Sequence, residues 1–324
     1  MTGDWTRVRG MMRPMLWQVV FDSLAPVFLA IVVGALLRRL RFLPESFFGG
    51  LNQLAFWVCL PCMLFMEISR CRLPVGAAHD VSLLLVFATA PALLVTWLLM
   101  RLLRVVPFSR GAFLQGGVRG NLAYVGIPVI AYALPQASGL AALAMAPVIP
   151  FYNVLCVLLL SAYSLNHGGL WQRCRVALIS IITNPLIIAC VLGLVAFAWR
   201  ITLPSAVGKT LDMFGKAGLP TALLALGASL TFERVRGHFM VATVSSLVRV
   251  LVGPLVGWWL AARFGLAGDM RTMALLFLAC PTAVASFVVA DQMGADKDLA
   301  GAIVVLSTLY AFPVMAVVLM LTAA

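Results

Sequence analysis

Apolar runs of about 20 residues recur along the whole chain, separated by short polar breaks. At a helical rise of about 1.5 Å per residue, each run is long enough to cross a hydrocarbon layer of about 30 Å. The pattern predicts ten membrane spans, at about residues 17–37, 47–68, 81–103, 111–134, 139–162, 176–198, 211–230, 239–262, 272–291 and 299–322. The breaks are too short to hold a soluble domain. The first run is closed by Arg38, Arg39 and Arg41 and shows no small-residue cleavage site, so it is expected to stay as a membrane helix rather than act as a cleaved leader.

Prolines and glycines inside the runs repeat. Pro26 and Gly34 are matched by Pro185 and Gly193, 159 positions later, and Leu60-Pro61 by Leu219-Pro220 at the same offset. Pro91 and Pro254 are 163 apart. Proline is common in membrane helices, so one offset alone is weak, but it agrees with the span count. The chain is expected to hold a tail over residues 1–16, a first five-helix repeat over 17–165 and a second over 166–324. Because five is odd, the second repeat would enter the membrane from the opposite face, an inverted arrangement common in secondary transporters.

Composition sharpens this picture. The 324 residues are 63% hydrophobic and 10% charged, with a mean hydropathy of +1.06, which excludes a soluble globular domain. The formal net charge of +12 comes from basic residues scattered singly through short loops, not from a stripe with interleaved aromatics, so no nucleic-acid partner is expected. Loops after odd-numbered spans carry eleven basic residues and loops after even ones six. That bias predicts cytoplasmic odd-side loops and both termini outside. Arg7, Arg9 and Arg13 in the tail run against it, which makes Met15 a candidate start of the native protein.

Enzyme chemistry finds little support. His79, His167 and His238 all fall in loops or at span edges, with no HExxH or Ser-His set, and no metal or cofactor is expected. The seven cysteines are odd in number and dispersed, so no disulfide framework is predicted. Cys59-Leu-Pro-Cys62 spells a redox motif but lies in an apolar helix, where packing is its expected role.

Spans four and nine are built to break. Span four contains Gly111, Gly116, Gly117, Gly120, Gly126 and Pro128 around the stretch RGNLAYVGIP, and span nine has Pro281, Thr282 and Ser286. Proline removes a backbone donor and clashes with the preceding turn, while glycine tolerates unwound dihedrals. Such breaks survive in a bilayer only inside protein or beside a wet cavity. Asn121 and Pro281 each lie about 15 Å from their own membrane edge, counted by helical rise, so the two breaks are expected to cross near mid-membrane. Half-helix N-termini gathered there would suit an anion such as a carboxylate.

The candidate substrate-binding residues are Asn121, Arg119, Tyr124, Asn153, Thr282 and Ser286, with Gly120, Gly126, Pro128 and Pro281 shaping the crossover. Arg119 either faces the interior or snorkels to an interface. Arg249, deep in span eight, needs an acidic or carbonyl partner and is expected to be a structural tie, with substrate contact as the alternative. Asp212 with Lys216, and Glu67 with Arg70, read as interfacial pairs along single helices. Asp22, Asp291 and Asp296 fall at interfaces, so no mid-membrane acid stands out as a proton carrier.

Five segments, RGNLAYVGIPVI, NPLIIACVLGLV, KAGLPTALLALGASL, CPTAVASFVVADQMGAD and STLYAFPV, together resemble the auxin efflux carrier family, and its bacterial members in particular. The resemblance runs from about Met15 through almost the whole chain. It implies an all-α integral membrane fold of ten transmembrane helices in two inverted five-helix repeats, with discontinuous helices four and nine crossing. Spans one, two, six and seven would form a scaffold and the others a moving transport group. In the family, the Asn and the prolines at the positions of Asn121, Pro128 and Pro281 shape the site, and the substrates are organic anions including malonate, malate and auxin-like acids. Plant members place a charged support cluster beside the site, and no intramembrane acid matches it here.

The resulting expectation is a secondary active transporter of small carboxylates in the bacterial inner membrane, working by alternating access, with the lipid bilayer as its surroundings. A proton or sodium ion as coupling partner, and a homodimeric assembly, are left open. The alternatives are a sodium-coupled symporter of the bile-acid type and a membrane sensor that binds without transporting.

Overall fold

A computed structural model describes residues 5–71, 75–163, 175, 178–179 and 182–322. Arg72, His167, Arg173, the repeat junction at 165/166 and most of the start of span six lie outside these residues, as do the side chains of Arg7, Arg9, Arg13 and Met15.

The described chain is helical throughout. Its helices are α1 (Trp5–Arg39), α2 (Glu45–Leu54), α3 (Leu60–Ser69), α4 (Val75–Leu102), α5 (Pro107–Val118), α6 (Ile127–Ala133), α7 (Ser138–Met145) and α8 (Val148–Tyr163). They continue as α9 (Pro185–Ala198), α10 (Ser205–Ser229), α11 (Val235–Leu247), α12 (Gly253–Arg263), α13 (Gly268–Ala279), α14 (Ala285–Gln292) and α15 (Lys297–Thr322).

The evenly spaced apolar runs become long, bent and interrupted helices. Five stretches are long and apolar enough to cross a membrane: Val20–Arg39, Glu45–Ser69, Gly76–Leu102, Phe232–Arg263 and Lys297–Thr322. The fifth predicted span is a pair, Pro135–Met145 and Val148–Tyr163, bent by 45° around Pro147. Leu122–Ala133 and Pro185–Ala198 are shorter apolar helices. Helix α10 runs unbroken for 25 residues but carries Lys209, Asp212 and Lys216.

Proline accounts for much of this variety. Wide π-type turns occupy Ala55–Cys59, Leu122–Gly126 and Val248–Val252, and each ends two residues before a proline: Pro61, Pro128 and Pro254. The wider turn moves the carbonyl that the proline ring would strike and absorbs its missing N–H. Pro91, Pro220 and Pro313 instead sit within continuous helices. Prolines matched by the 159 and 163 offsets therefore differ in local backbone.

The helices pack in two groups. In one, α1 lies along α10, α3 lies between α9 and α10, and α2 joins α10. In the other, α11 lies along α15, α5 packs on α4 and α8, and α13 packs on α12 and α15. Helix α6 rests on α1 and so crosses from one group to the other.

Glycine seats hold the first group together. A Cβ on Gly34 would strike the carbonyl of Leu224, and one on Gly227 would strike the carbonyl of Ile31, so α1 and α10 approach backbone to backbone. On the other side, a Cβ on Gly193 would lie 3.2 Å from the carbonyl oxygen of Phe65, and one on Gly218 would lie 3.2 Å from that of Cys59. Small residues at such contacts let helices in lipid gain dispersion energy that larger side chains would block. Cys59 is buried in this contact and is not bonded to Cys62, in line with a packing role.

Outside these seams the helices expose large apolar side chains, including Leu29, Val32 and Leu36 on α1 and Leu94, Trp97 and Leu98 on α4. A helix solvated by lipid tails calls for such a surface, since its backbone polar groups are already satisfied internally.

The ion pairs depart from the sequence expectation in one place. Both guanidinium Nη groups of Arg70 reach Asp212, at 2.9 and 3.0 Å. The pair therefore ties α3 to α10 rather than running along one helix to Lys216, because the two helix ends pack side by side. Asp291 pairs with Lys297 at 2.8 Å. Asp296 caps α15 by accepting from the Leu299 N–H at 2.9 Å and also accepts from the Ser109 hydroxyl.

Candidate functional site

Helix α5 stops at Val118 and α13 at Ala279. Beyond each end the backbone turns extended, with φ −82° and ψ 102° at Arg119 and φ −56° and ψ 142° at Cys280. The two extended segments meet as a short antiparallel bridge between Gly120 and Thr282. Asn121 donates its N–H to Pro281 O at 2.8 Å, and Ala283 donates to Arg119 O at 3.1 Å. The two interrupted helices thus meet at their breaks, joined by backbone hydrogen bonds.

A break leaves carbonyls that a dry interior cannot tolerate unpaired. Here side chains take them up. Arg249, 2% exposed, donates Nε to Cys280 O at 2.9 Å, Nη1 to Val118 O at 3.3 Å and Nη2 to Phe277 O at 3.1 Å. The Thr282 hydroxyl donates to Gly116 O at 2.7 Å, the Thr282 N–H donates to Ser307 Oγ at 2.9 Å, and Gln115 Nε2 donates to Ser286 O at 2.9 Å. Gly120 is required by close approach, because a Cβ there would collide with the Arg249 guanidinium. At Gly126 a Cβ would lie 2.7 Å from the Phe277 ring.

A cavity of about 900 Å³ opens beside the crossing. Arg119, Gly120, Asn121, Tyr124 and Asn153 form one part of its wall, with Asn52, Trp57, Tyr152 and Asn184 opposite or beside them, and it extends to Ser161 and Gln292 near the ends of α8 and α14. Among the described residues, Arg119 is the only charged side chain on this wall.

The polar groups are arranged with few alternatives. Asn121 Oδ1 accepts from the Tyr124 N–H at 3.3 Å, capping the turn that starts at Leu122. That bond orients the carboxamide, and its Nδ2 is left buried with no protein partner. Arg119 is 8% exposed and donates Nη2 to Asn153 Oδ1 at 2.7 Å, so it faces the interior and does not snorkel. The Tyr124 hydroxyl donates to Asn52 Oδ1 at 3.0 Å, linking the turn after the break to α2 across the cavity.

Of the six predicted binding residues, Arg119, Asn121, Tyr124 and Asn153 stand on the wall. Thr282 and Ser286 are completely buried behind it, where Thr282 holds the crossing together and Ser286 Oγ has no partner. Pro281 sits at the bridge, while Gly126 and Pro128 lie off the wall, in and just after the wide turn. Sequence reasoning missed Asn52, Tyr152 and Asn184. For Asn184 the signal was present: Asn followed by Pro marks a helix start, and its Oδ1 does cap α9 through the Leu186 and Ile187 N–H groups, at 2.9 and 3.4 Å. Arg249 is the carbonyl-bound tie expected for it.

The sequence profile of the family described as "Membrane transport protein" matches residues 19–167 and 169–319. A protein of Rhizobium meliloti (strain 1021) named "Putative malonate transporter" is 26% identical over 295 residues, 88% of this chain and 90% of the relative. "Probable auxin efflux carrier component 5c" of Oryza sativa subsp. japonica is 30% identical over 151 residues, 45% of this chain and 41% of the relative. "Auxin efflux carrier component 3" of Arabidopsis thaliana is 29% identical over 130 residues, 40% of this chain and 20% of the relative. These relatives are transporters, not enzymes, and the profile covers almost the whole chain. The chain belongs to the membrane transport protein family, the family of the auxin efflux carriers.

Proposed function

We propose that the protein is a secondary active transporter that carries small organic anions across the bacterial cytoplasmic membrane by alternating access, with the substrate held in the cavity beside the crossing. The observation that carries this reading is that Arg119, the one charged side chain on the described wall, and Asn121, whose buried Nδ2 has no protein partner, line the same cavity. A carboxylate would accept from Arg119 and, once the carboxamide turns toward it, from Asn121, and a charge-assisted hydrogen bond is about twice as strong as a neutral one. Asn153 holds Arg119 in place, Tyr124 closes the near side, and Thr282 and Ser286 support the site from behind the crossing. Malonate in the name of one relative and auxin in the names of others agree with a carboxylate.

In this reading the chain has ten spans in two inverted repeats, two of them interrupted. The support comes from pairs of contacts. Gly34 seats on Leu224 and Gly193 seats on Phe65, and both members of the first contact are related to those of the second by 159 positions. Gly120 and Thr282, 162 apart, face each other where the two interrupted helices meet. The group of α1, α2, α3, α9 and α10 is the scaffold, and the group of α4, α5, α8, α11, α12, α13 and α15 carries the site past it. Ser161 and Gln292, at the far end of the cavity, lie at span ends that the charge bias assigns to the cytoplasm, so this conformation is inward-facing with both termini outside.

Counterflow of labelled malonate in proteoliposomes tests the proposal. Exchange that Arg119→Gln removes is the expected result. Malonate-induced thermal stabilisation without counterflow would reassign the protein as a sensor, and absence of both across a carboxylate panel would sink the anion reading. Imposing sodium and proton gradients separately then identifies the coupling ion and tests the sodium-symporter alternative.

A further inference from the structure

We infer that Arg249 is a positioning residue whose fixed charge sets the electrostatic potential of the cavity without touching the substrate. It sits in the wide turn Val248–Val252, is 2% exposed, is absent from the cavity wall, and makes no ion pair among the described residues. A buried guanidinium in such surroundings needs compensation, and all of it comes from backbone carbonyls.

Those carbonyls share one property. Val118 O lies at the C-terminal end of α5, and Phe277 O and Cys280 O lie at the C-terminal end of α13. The C-terminus of a helix carries about half a negative charge. Two interrupted helices that end at one point would therefore gather roughly one negative charge at the crossing, directly behind Gly120. Such a charge would repel an anion from the cavity. One guanidinium bonded to both ends cancels it.

The opposite poles remain. The helical segments that resume after the breaks begin at Leu122 and Ala285, and both residues are on the cavity wall. With the C-terminal poles neutralised by Arg249, the N-terminal poles and Arg119 leave the cavity net positive. The bare Gly120 is part of the device, since any side chain there would push the guanidinium off the carbonyls.

This rests on the reading that the cavity receives an anion, but the test uses no substrate, so the two can fail separately. Val288, half-exposed on the wall, is replaced by cysteine, and its labelling by an anionic and a cationic methanethiosulfonate reagent is compared with that of the parent protein. The ratio of anionic to cationic rate reports local potential and is insensitive to a general change in accessibility. In Arg249→Gln the ratio is expected to fall by about tenfold or more, as loss of a unit charge in a protein interior implies. In Arg249→Lys, which keeps the charge but not the fork, it stays within about threefold of the parent. An unchanged ratio in Arg249→Gln, or an equal fall in Arg249→Lys, would overturn the inference. Should Arg249→Gln not fold, Arg249→His is labelled at pH 6 and pH 8.5. A ratio lower at the higher pH in that variant but not in the parent supports the inference, and a pH-independent ratio overturns it.

Discussion

Asn121 and Pro281 are joined across the crossing by a backbone hydrogen bond of 2.8 Å from Asn121 N to Pro281 O. Asn121 also caps the following turn through Oδ1, so a single residue fixes the break and keeps a buried Nδ2 without a protein partner beside the cavity. Asn121→Ala is expected to reduce counterflow by about tenfold or more, the cost of one hydrogen bond to a charged ligand, while membrane insertion is retained. Asn121→Asp keeps the capping oxygen but replaces the donor with negative charge. It should transport no better than the alanine variant yet melt closer to wild type. Wild-type transport by Asn121→Asp would disprove the role given to Nδ2.

Arg119 is held by Asn153 at 2.7 Å. Arg119→Gln removes the only charge on the described wall and should abolish the thermal stabilisation that malonate or a related carboxylate gives the wild type. Arg119→Lys keeps the charge and should retain part of it. Asn153→Ala removes a charge-assisted hydrogen bond that positions the guanidinium, and the expected weakening is about tenfold or more, in the range of one lost hydrogen bond to a charged group. Ligand titrations followed by melting temperature in detergent provide the check.

The glycines at the crossing differ from those elsewhere by what surrounds them. Gly120→Ala would push a methyl group into a guanidinium pinned by three carbonyls and should destabilise the fold by about 1–3 kcal/mol. Gly126→Ala meets the edge of the Phe277 ring and belongs to the same class with a smaller cost, since a ring can tilt. Gly49→Ala on α2 meets nothing within 4 Å and should stabilise by up to about 1 kcal/mol through helix propensity. Thermal melts that ranked Gly49→Ala below Gly120→Ala would contradict this account.

Tyr124, in the turn after the break, and Asn52, on α2, are joined across the cavity by a hydrogen bond of 3.0 Å that favours the conformation described. Tyr124→Phe removes only that hydroxyl. A hydrogen bond of this kind contributes about 0.5–1.5 kcal/mol, so the population of this conformation should fall by about twofold to tenfold. Slower labelling of Val288→Cys would register the shift, and unchanged labelling would show that the bond does not distinguish the conformations.

Much of the site was legible in the chain because its residues violate the apolar pattern. Arg119, Asn121 and Asn153 each place a polar group where a lipid-facing helix tolerates none, and the glycines and prolines around them mark the breaks. What escaped notice has a physical explanation. Asn52 lies near the polar start of its span and Tyr152, beside Asn153, fits the apolar pattern itself, so only tertiary packing brings these two side chains to the cavity. Arg70 stands beside Glu67 in sequence, yet it reaches Asp212 on another helix at 2.9 Å, a choice set by how α3 lies on α10. Thr282 and Ser286 were correctly placed at the break, but which side of the bridge a short side chain occupies depends on backbone direction, and theirs is the dry side. Proline positions, too, reveal where a helix is stressed but not whether it widens, as at Pro61, or stays regular, as at Pro220.

The seat of Gly218 on the Cys59 carbonyl has a consequence for ancestry. These two positions are themselves 159 apart, so on the duplicated-repeat reading one position of the ancestral half meets its own copy. Self-contact of that kind is the signature of an isologous interface, the surface by which two identical molecules form a closed pair. On that reading alone, the seam of α10 with the turn Ala55–Cys59 and α3 would correspond to the subunit boundary of an antiparallel homodimer of five-helix proteins.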